Sequence, residues 1–186
     1  MKEQIRTAAL EVFDEKGYHK TGIRDIAARA GCSLPTLYYY YGNKAQMYTE
    51  IVCQSYEGLV TGIIDQTPEE LSLRELWFFN VMQRRMLGDN ERRVFRLALK
   101  AMLGLDNPGE AAERLLTFDR ECRQKDRARV ISETGNPDFA RLVLRVTDQM
   151  LQSAIWGNDG ISAKAIRREL DILFDAAPES SNRKGR

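Results

Sequence analysis

Histidine is almost absent from this chain: His19 is the only one among 186 residues. A single imidazole excludes multi-histidine metal sites and leaves a Ser/His/Asp triad one possible base. Cysteine is scarce too. Cys32, Cys53 and Cys122 are odd in number and widely spaced, which fits reduced thiols and a cytoplasmic chain rather than a disulfide framework. No apolar run approaches the roughly 20 residues needed to span a bilayer. The start, Met1-Lys2-Glu3-Gln4, leads straight into an amphipathic pattern with no secretory stretch. A phosphate loop, a dinucleotide fingerprint, a zinc motif and a nucleophile elbow are all missing. These absences argue against an enzyme, imply no cofactor and no metal, and leave the membrane off the list of expected partners. Net charge is nearly lacking as well, at +1, too little to announce a polyanionic partner.

The distribution of charge says more than its sum. From Lys16 to Lys44 stand Lys16, Lys20, Arg24, Arg29 and Lys44 against Asp25 alone, a local surplus of four positive charges. Glu3, Glu11, Asp14 and Glu15 lie just before it. Apolar residues recur throughout at three- and four-residue steps, so the fold class is all-α, with about nine helices. Ile5, Ala8, Ala9, Val12 and Phe13 form the stripe of a first helix that Gly17 ends. Gly22–Ala30 buries Ile23, Ile26, Ala27 and Ala30, and Gly31-Cys32 is a tight turn. Ser33 caps the next short helix, with Pro35 in its first turn. Asn43 with Gln46 reads as a capping box opening a long helix. Further starts are expected at Ser72/Glu75, Asn107-Pro108/Glu110, Asn136-Pro137 and Ser162. Stops or turns are expected at Gly88-Asp89-Asn90, Gly104–Gly109, Gly135 and Gly157–Gly160. The polar tail from Pro178 is expected to be disordered.

Residues 22–41 have the parts of a helix-turn-helix: two short helices around Ile26, Ala27, Ala30 and Leu37, joined by a glycine turn. Leu37 and Tyr41 should face inward. Leu34, Pro35, Thr36, Tyr38, Tyr39 and Tyr40 are left at the surface, where aromatics beside basic residues need a partner. For Tyr41 packing is the better reading. Cys32 reads as a small hydrophobe rather than a redox switch, and His19 as a loop residue.

The stretch Ala8-Ala9, Phe13, Gly17-Tyr18, Thr21, Ile26-Ala27 and Ala30-Gly31-Cys32-Ser33-Leu34-Pro35-Thr36-Leu37-Tyr38-Tyr39-Tyr40-Tyr41-Gly42-Asn43-Lys44 resembles the DNA-binding head of the tetracycline-repressor (TetR) family. It covers about the first 50 residues. The resemblance implies a helix-turn-helix domain at 1–46, a helical ligand-binding and dimerisation domain at 47–177, and the disordered tail at 178–186. It implies a repressor that binds double-stranded operator DNA as a homodimer and is released by a small-molecule inducer. Leu34, Pro35, Thr36 and Tyr39 match positions that touch base edges in that family, and Tyr38, Tyr40 and Lys44 match phosphate contacts. Thr21, Arg24 and Ser33 complete the expected DNA-binding set. Three departures stand out: Gly22 where Ser or Thr is common, Cys32 where Val is usual, and Tyr40 where His is usual.

The body supplies helices but no ligand signature. Trp77, Phe78, Met82, Phe95, Met102, Phe118 and Trp156 are aromatic or Met-rich positions. They read either as ordinary core or as the lining of an apolar ligand pocket, with Trp156 near its edge. A regulator governed by a protein partner, or by no ligand, would look the same. Glu110–Arg129 carries both charge signs, as a helix with a solvated face does. Phe139, Leu142, Val143, Val146, Met150 and Ala154, with Ile166, Leu170, Leu173 and Phe174, form two apolar stripes. They are expected to pair with their symmetry mates, while part of each covers its own body.

Overall fold

A computed structural model of the chain describes residues 1–105, 107–156 and 162–176. The tail at 178–186 and the Gly157–Gly160 turn expected from sequence lie outside the described residues. Every regular element in the described part is helical: α1 (Lys2–Lys16), α2 (Ile23–Ala30), α3 (Leu34–Tyr41), α4 (Lys44–Tyr48), a π-helical turn (Thr49–Cys53), α5 (Gln54–Asp65), α6 (Leu73–Arg85), α7 (Asp89–Met102), α8 (Gly109–Thr134), α9 (Pro137–Trp156) and α10 (Ala163–Asp175). From α4 through the π turn to α5 the helix is continuous. Counted once, it gives nine helices among the described residues, as the periodicity predicts.

The chain divides into two units. The first contains residues 1–64 and 88–119, the second 65–87 and 120–186, and the division falls inside α8. In the first unit, α1 buries Ile5, Ala8, Ala9, Val12 and Phe13 against Ile26 of α2 and Leu37 of α3, which are themselves sealed from solvent. The ring of Phe13 meets Tyr48 edge-on at 4.9 Å. Asp14 of α1 faces three cations of α7: Arg96 at 2.7 Å, Arg93 at 3.5 Å and Lys100 at 3.7 Å. The thiol of Cys53, in the π turn, reaches the Ala111 carbonyl at 3.7 Å. Burial pushes it up to about 11, so it has little nucleophilic character.

The second unit has its own core, in which Leu73, Trp77 and Val81 of α6 pack with Val130 of α8, Phe139, Ala140 and Val143 of α9, and Ile166 and Leu170 of α10. Phe139 meets Phe174 edge-on at 5.9 Å. Arg123 of α8 pairs with Asp148 of α9, and Arg129 reaches the Leu71 carbonyl at 2.5 Å.

Most caps form as the sequence predicts. Ser72 and Glu75 close a box at α6, with the Glu75 carboxylate accepting from the Ser72 amide at 3.2 Å. The Asn136 oxygen accepts from the Asp138 and Phe139 amides, each at 3.0 Å, and Ser162 accepts from Ala165. The start expected at Asn107-Pro108/Glu110 is met by α8, which begins at Gly109, while the Asn107 amide nitrogen turns back to the carbonyls of Ala101 and Leu105. One expectation needs correcting. Gly88-Asp89-Asn90 is a start rather than a stop. Gly88 is the N-cap of α7, and its amide donates to Glu91 at 2.7 Å. The misreading arises because a short linker places the polar residues of a helix start close behind a helix end.

Candidate DNA-binding surface

The helix-turn-helix is set by two local devices. Gly31 ends α2 at φ 63°, in the left-handed region that a glycine enters without steric cost. Ser33 then starts α3, its hydroxyl accepting from the Thr36 amide at 3.2 Å and lying 2.8 Å from the Thr36 hydroxyl. Gly22, lacking a hydroxyl, still opens α2. Its amide donates to the Asp25 carboxylate at 3.1 Å, which Lys16 also pairs at 2.9 Å. That amide and the Lys16 ammonium hold the Asp25 carboxyl below the ordinary carboxylate range, Lys16 having the larger effect.

Packing sorts the residues of α3 as the helical period requires. Leu37 and Tyr41 are buried, with burial raising the Tyr41 phenol. Tyr39 is 84% exposed and Tyr38 47%. Tyr40 is half-buried, its ring 5.3 Å from that of Tyr39. Ser33 and Pro35 are exposed, Leu34 and Thr36 half-buried. The structure thus brings Ser33, Leu34, Pro35, Thr36, Tyr38, Tyr39 and Tyr40 onto one short helix and its cap, with Arg24 exposed on α2.

Two members of the expected set are placed otherwise. Thr21 is buried, and its hydroxyl donates to the Gly17 carbonyl at 2.6 Å and reaches that of Val12 at 3.3 Å. It holds the end of α1 and is not a surface contact. Lys44 is turned inward as well, its ammonium donating to the carbonyls of Tyr18 at 2.9 Å and Thr21 at 3.1 Å, with that of His19 at 3.5 Å.

The basic surplus is redistributed in the same way. Lys16 is taken by Asp25. Arg29 forks onto Glu15 at 2.9 Å and Glu11 at 3.0 Å, pairs that raise its basicity further. What remains is Lys20 and Arg24, both exposed and, among the described residues, without a hydrogen-bond or ion-pair partner. Sequence reading counts Lys20 in the charge surplus but leaves it out of the contact set. The signal that could have found it is its position in a loop with no acid at helical spacing.

The aromatic positions expected to line a pocket divide between the units. Trp77 is buried in the core of the second unit, where Phe78 and Met82 pack against it. Among the described residues, its buried indole N–H has no partner. The Arg167 guanidinium lies 4.0 Å from the Phe78 ring. In the first unit Phe95 and Phe118 both meet Tyr56, at 5.3 and 6.0 Å, and Met102 is half-buried. Trp156 ends α9 half exposed. A groove of about 360 Å³ in the first unit is lined by Glu3, Arg6, Leu10, Ser55, Leu59 and Val94 among others, and by none of these seven residues.

Residues 5–51 match the family model of bacterial regulatory proteins, tetR family. The chain is 40% identical over 60 residues to the HTH-type transcriptional activator FasR of Mycolicibacterium smegmatis, a match covering 32% of this chain and 27% of that protein. It is 29% identical over 79 residues to IcaR of Staphylococcus epidermidis, the negative transcriptional regulator of the biofilm operon icaADBC, covering 42% of this chain and 43% of that one. These curated relatives are thus matched over less than half their length. Likeness of fold extends further. A TetR-like transcriptional regulator from Rhodococcus sp. RHA1 superposes at a TM-score of 0.71 with 21% identity, covering 92% of each chain. FadR of Bacillus subtilis, solved in complex with stearoyl-CoA, superposes at 0.69 with 17% identity, covering 96% of this chain and all of that one. Each of these proteins is a transcriptional regulator. Residues 5–51 are thus a helix-turn-helix region of the kind found in bacterial regulatory proteins of the tetR family.

Proposed function

We propose that the protein binds a palindromic operator as a homodimer, with the 1–46 region reading DNA and the 47–177 region dimerising and receiving an effector, and that it represses until a small molecule releases it. The observation that carries the reading is the outer face of α3. Tyr38 and Tyr39 stand exposed there, on a helix capped for entry into a major groove, while Lys20 and Arg24 precede it with their charges uncompensated. An exposed aromatic pair costs solvation unless a partner covers it. Unpaired protein cations that neutralise DNA phosphates release the counterions condensed on the duplex.

Leu34, Pro35, Thr36 and Tyr39 suit thymine methyls and groove shape better than bidentate hydrogen bonds. The dimer reading rests on α9, which leaves Leu142, Val146, Gln149, Ser153 and Trp156 at least partly exposed along one stripe at helical spacing. The effector reading rests on the fold shared with FadR, a regulator solved with an acyl-CoA. The test is selection of bound sequences from random DNA, followed by salt titration on the selected site. Two half-sites about one helical turn apart are expected. Lys20→Ala and Arg24→Ala should each lower the slope of log K against log salt by about 0.9 per phosphate contact, or about two units per dimer. No enriched sequence would overturn the reading.

A further inference from the structure

We infer that Lys44 is the clasp of the helix-turn-helix, a positioning residue that ties the two ends of the motif together, rather than a phosphate ligand. The inference rests on the DNA-binding reading for its functional consequence, though not for its geometry. Lys44 follows α3 immediately, after Gly42 and the Asn43 cap. Thr21 precedes α2. The ammonium and the Thr21 carbonyl, 23 residues apart in sequence, meet at 3.1 Å. The Tyr18 carbonyl lies at 2.9 Å and that of His19 at 3.5 Å. The Tyr18 ring sits beneath the ammonium, its centroid 4.4 Å away.

An ammonium has three donors and no acceptor. Three converging carbonyls and a ring face satisfy it, leaving no N–H for a phosphate unless the cage opens. Lys44 is also the first residue of α4, where the helix dipole disfavours a cation; the carbonyl oxygens offset that. What the cage achieves is closure. Residues 22–43, containing α2, the turn and α3, are bracketed by one charge-assisted contact set. That limits the freedom of α3 relative to the 18–21 loop, much as any loop closure does. The arrangement also favours lysine over arginine. A compact ammonium fits convergent carbonyls, whereas a planar guanidinium fork suits carboxylate or phosphate.

Lys44→Arg and Lys44→Met separate the two roles. If Lys44 is a clasp, both variants lose operator affinity by about tenfold, the scale of a lost charge-assisted contact. Both keep the wild-type salt slope, and both speed amide exchange at residues 19–22 in the free protein. If Lys44 is a phosphate ligand, arginine restores affinity, methionine lowers the slope by about two units per dimer, and exchange does not change; that result overturns the inference. Unaltered affinity and exchange in both variants overturn it equally. Lys44→Gln replaces the methionine variant if that does not fold. Wild-type protein that selects no DNA sequence would sink the DNA-binding reading, while exchange at 19–22 would still decide whether the clasp exists.

Discussion

Tyr39 and Trp77 are both large aromatics on helices, and the fold treats them oppositely. Tyr39 projects from α3 with 84% of its surface in water. Trp77 is buried among Leu73, Val81, Val130 and Phe139 of the second unit, its indole N–H without an acceptor among the described residues. The head has a complete small core without its outer tyrosines, because Leu37, Tyr41, Ile26 and Phe13 already fill it. Its surplus aromatics are therefore free to serve a partner. The second unit puts Trp77, Phe78, Phe139 and Phe174 into its own packing and leaves Trp156 half exposed at the end of α9. The exposed aromatics of the head are thus surplus to its core, and the proposed DNA contact would cover them, whereas Trp77 and Phe139 in the second unit are core.

The sharpest way to break this contrast is on α9, where Leu142 and Val143 are neighbours in sequence and opposites in space. Val143 is sealed in the core, and Leu142 is 47% exposed. Val143→Glu would bury an unpaired carboxylate and should cost about 3–5 kcal/mol, enough to unfold the second unit. Leu142→Glu should leave helix content intact and act on self-association instead. Circular dichroism melts and sedimentation velocity check the pair. If Leu142→Glu unfolds the protein as fully as Val143→Glu, the outer stripe of α9 belongs to the core. If it leaves the dimer unchanged, the interface lies elsewhere.

A smaller effect of the same kind is expected on α3. Leu37→Ala empties a fully buried site and should cost about 2–5 kcal/mol of stability. Tyr39→Ala removes a solvated ring. It should change stability by less than about 0.5 kcal/mol while lowering operator affinity by at least about tenfold. Chemical denaturation and fluorescence anisotropy on the selected operator measure the two effects. A Tyr39→Ala variant that melts early but still binds DNA would reverse the roles assigned to the two faces.

The head was legible because its signals are local. Ser33, Pro35, Gly31 and Asn43 act within four residues of themselves, so turn and cap chemistry reads directly from spacing. Even so, Asn43 and Gln46 close their box partly through side chains, with the Asn43 amide nitrogen donating to the Gln46 oxygen at 2.9 Å. What stayed hidden depends on distance along the chain. The direction of Lys44 is decided by carbonyls 23 to 26 residues earlier, and Thr21 is drawn inward by Val12 and Gly17. No periodicity announces the π turn at Thr49–Cys53. In the body, the α9 and α10 stripes read as apolar from sequence. Packing, not spacing, gives Phe139, Val143, Met150, Ile166 and Leu170 to the unit's own core. The seven aromatic and Met positions look like one group in sequence because period and composition say nothing about which unit each helix face joins.

The smallest expected effect sharpens the contrast from the electrostatic side. Glu15 of the head sits at the surface in an ion pair with Arg29, and such an exposed pair contributes little. Asp126 of α8 is different. It is half-buried and, among the described residues, makes no hydrogen bond or ion pair. Arg84 of α6, Asp148 of α9, and Arg123 and Arg129 of its own helix lie within electrostatic reach. Burial dominates and, with Asp148 adding to it, pushes the Asp126 carboxyl up to about 6, against the partial opposition of the arginines. An unfolded aspartate titrates near about 3.9. Between about pH 4 and pH 6 the folded chain therefore holds a proton that the unfolded chain has released. The stabilising contribution of this group is complete below about pH 4 and is lost as pH rises through about 6. Asp126→Asn cannot ionise, so it should flatten that part of the stability curve and be more stable than wild type by about 1–2 kcal/mol at pH 7.5. Urea denaturation from pH 4 to 8 measures both quantities. A loss of stability at pH 7.5 would instead make the Asp126 carboxylate a needed partner of Arg84 and Arg123, and the polar interior of the second unit would then be held by charge rather than relieved by its removal.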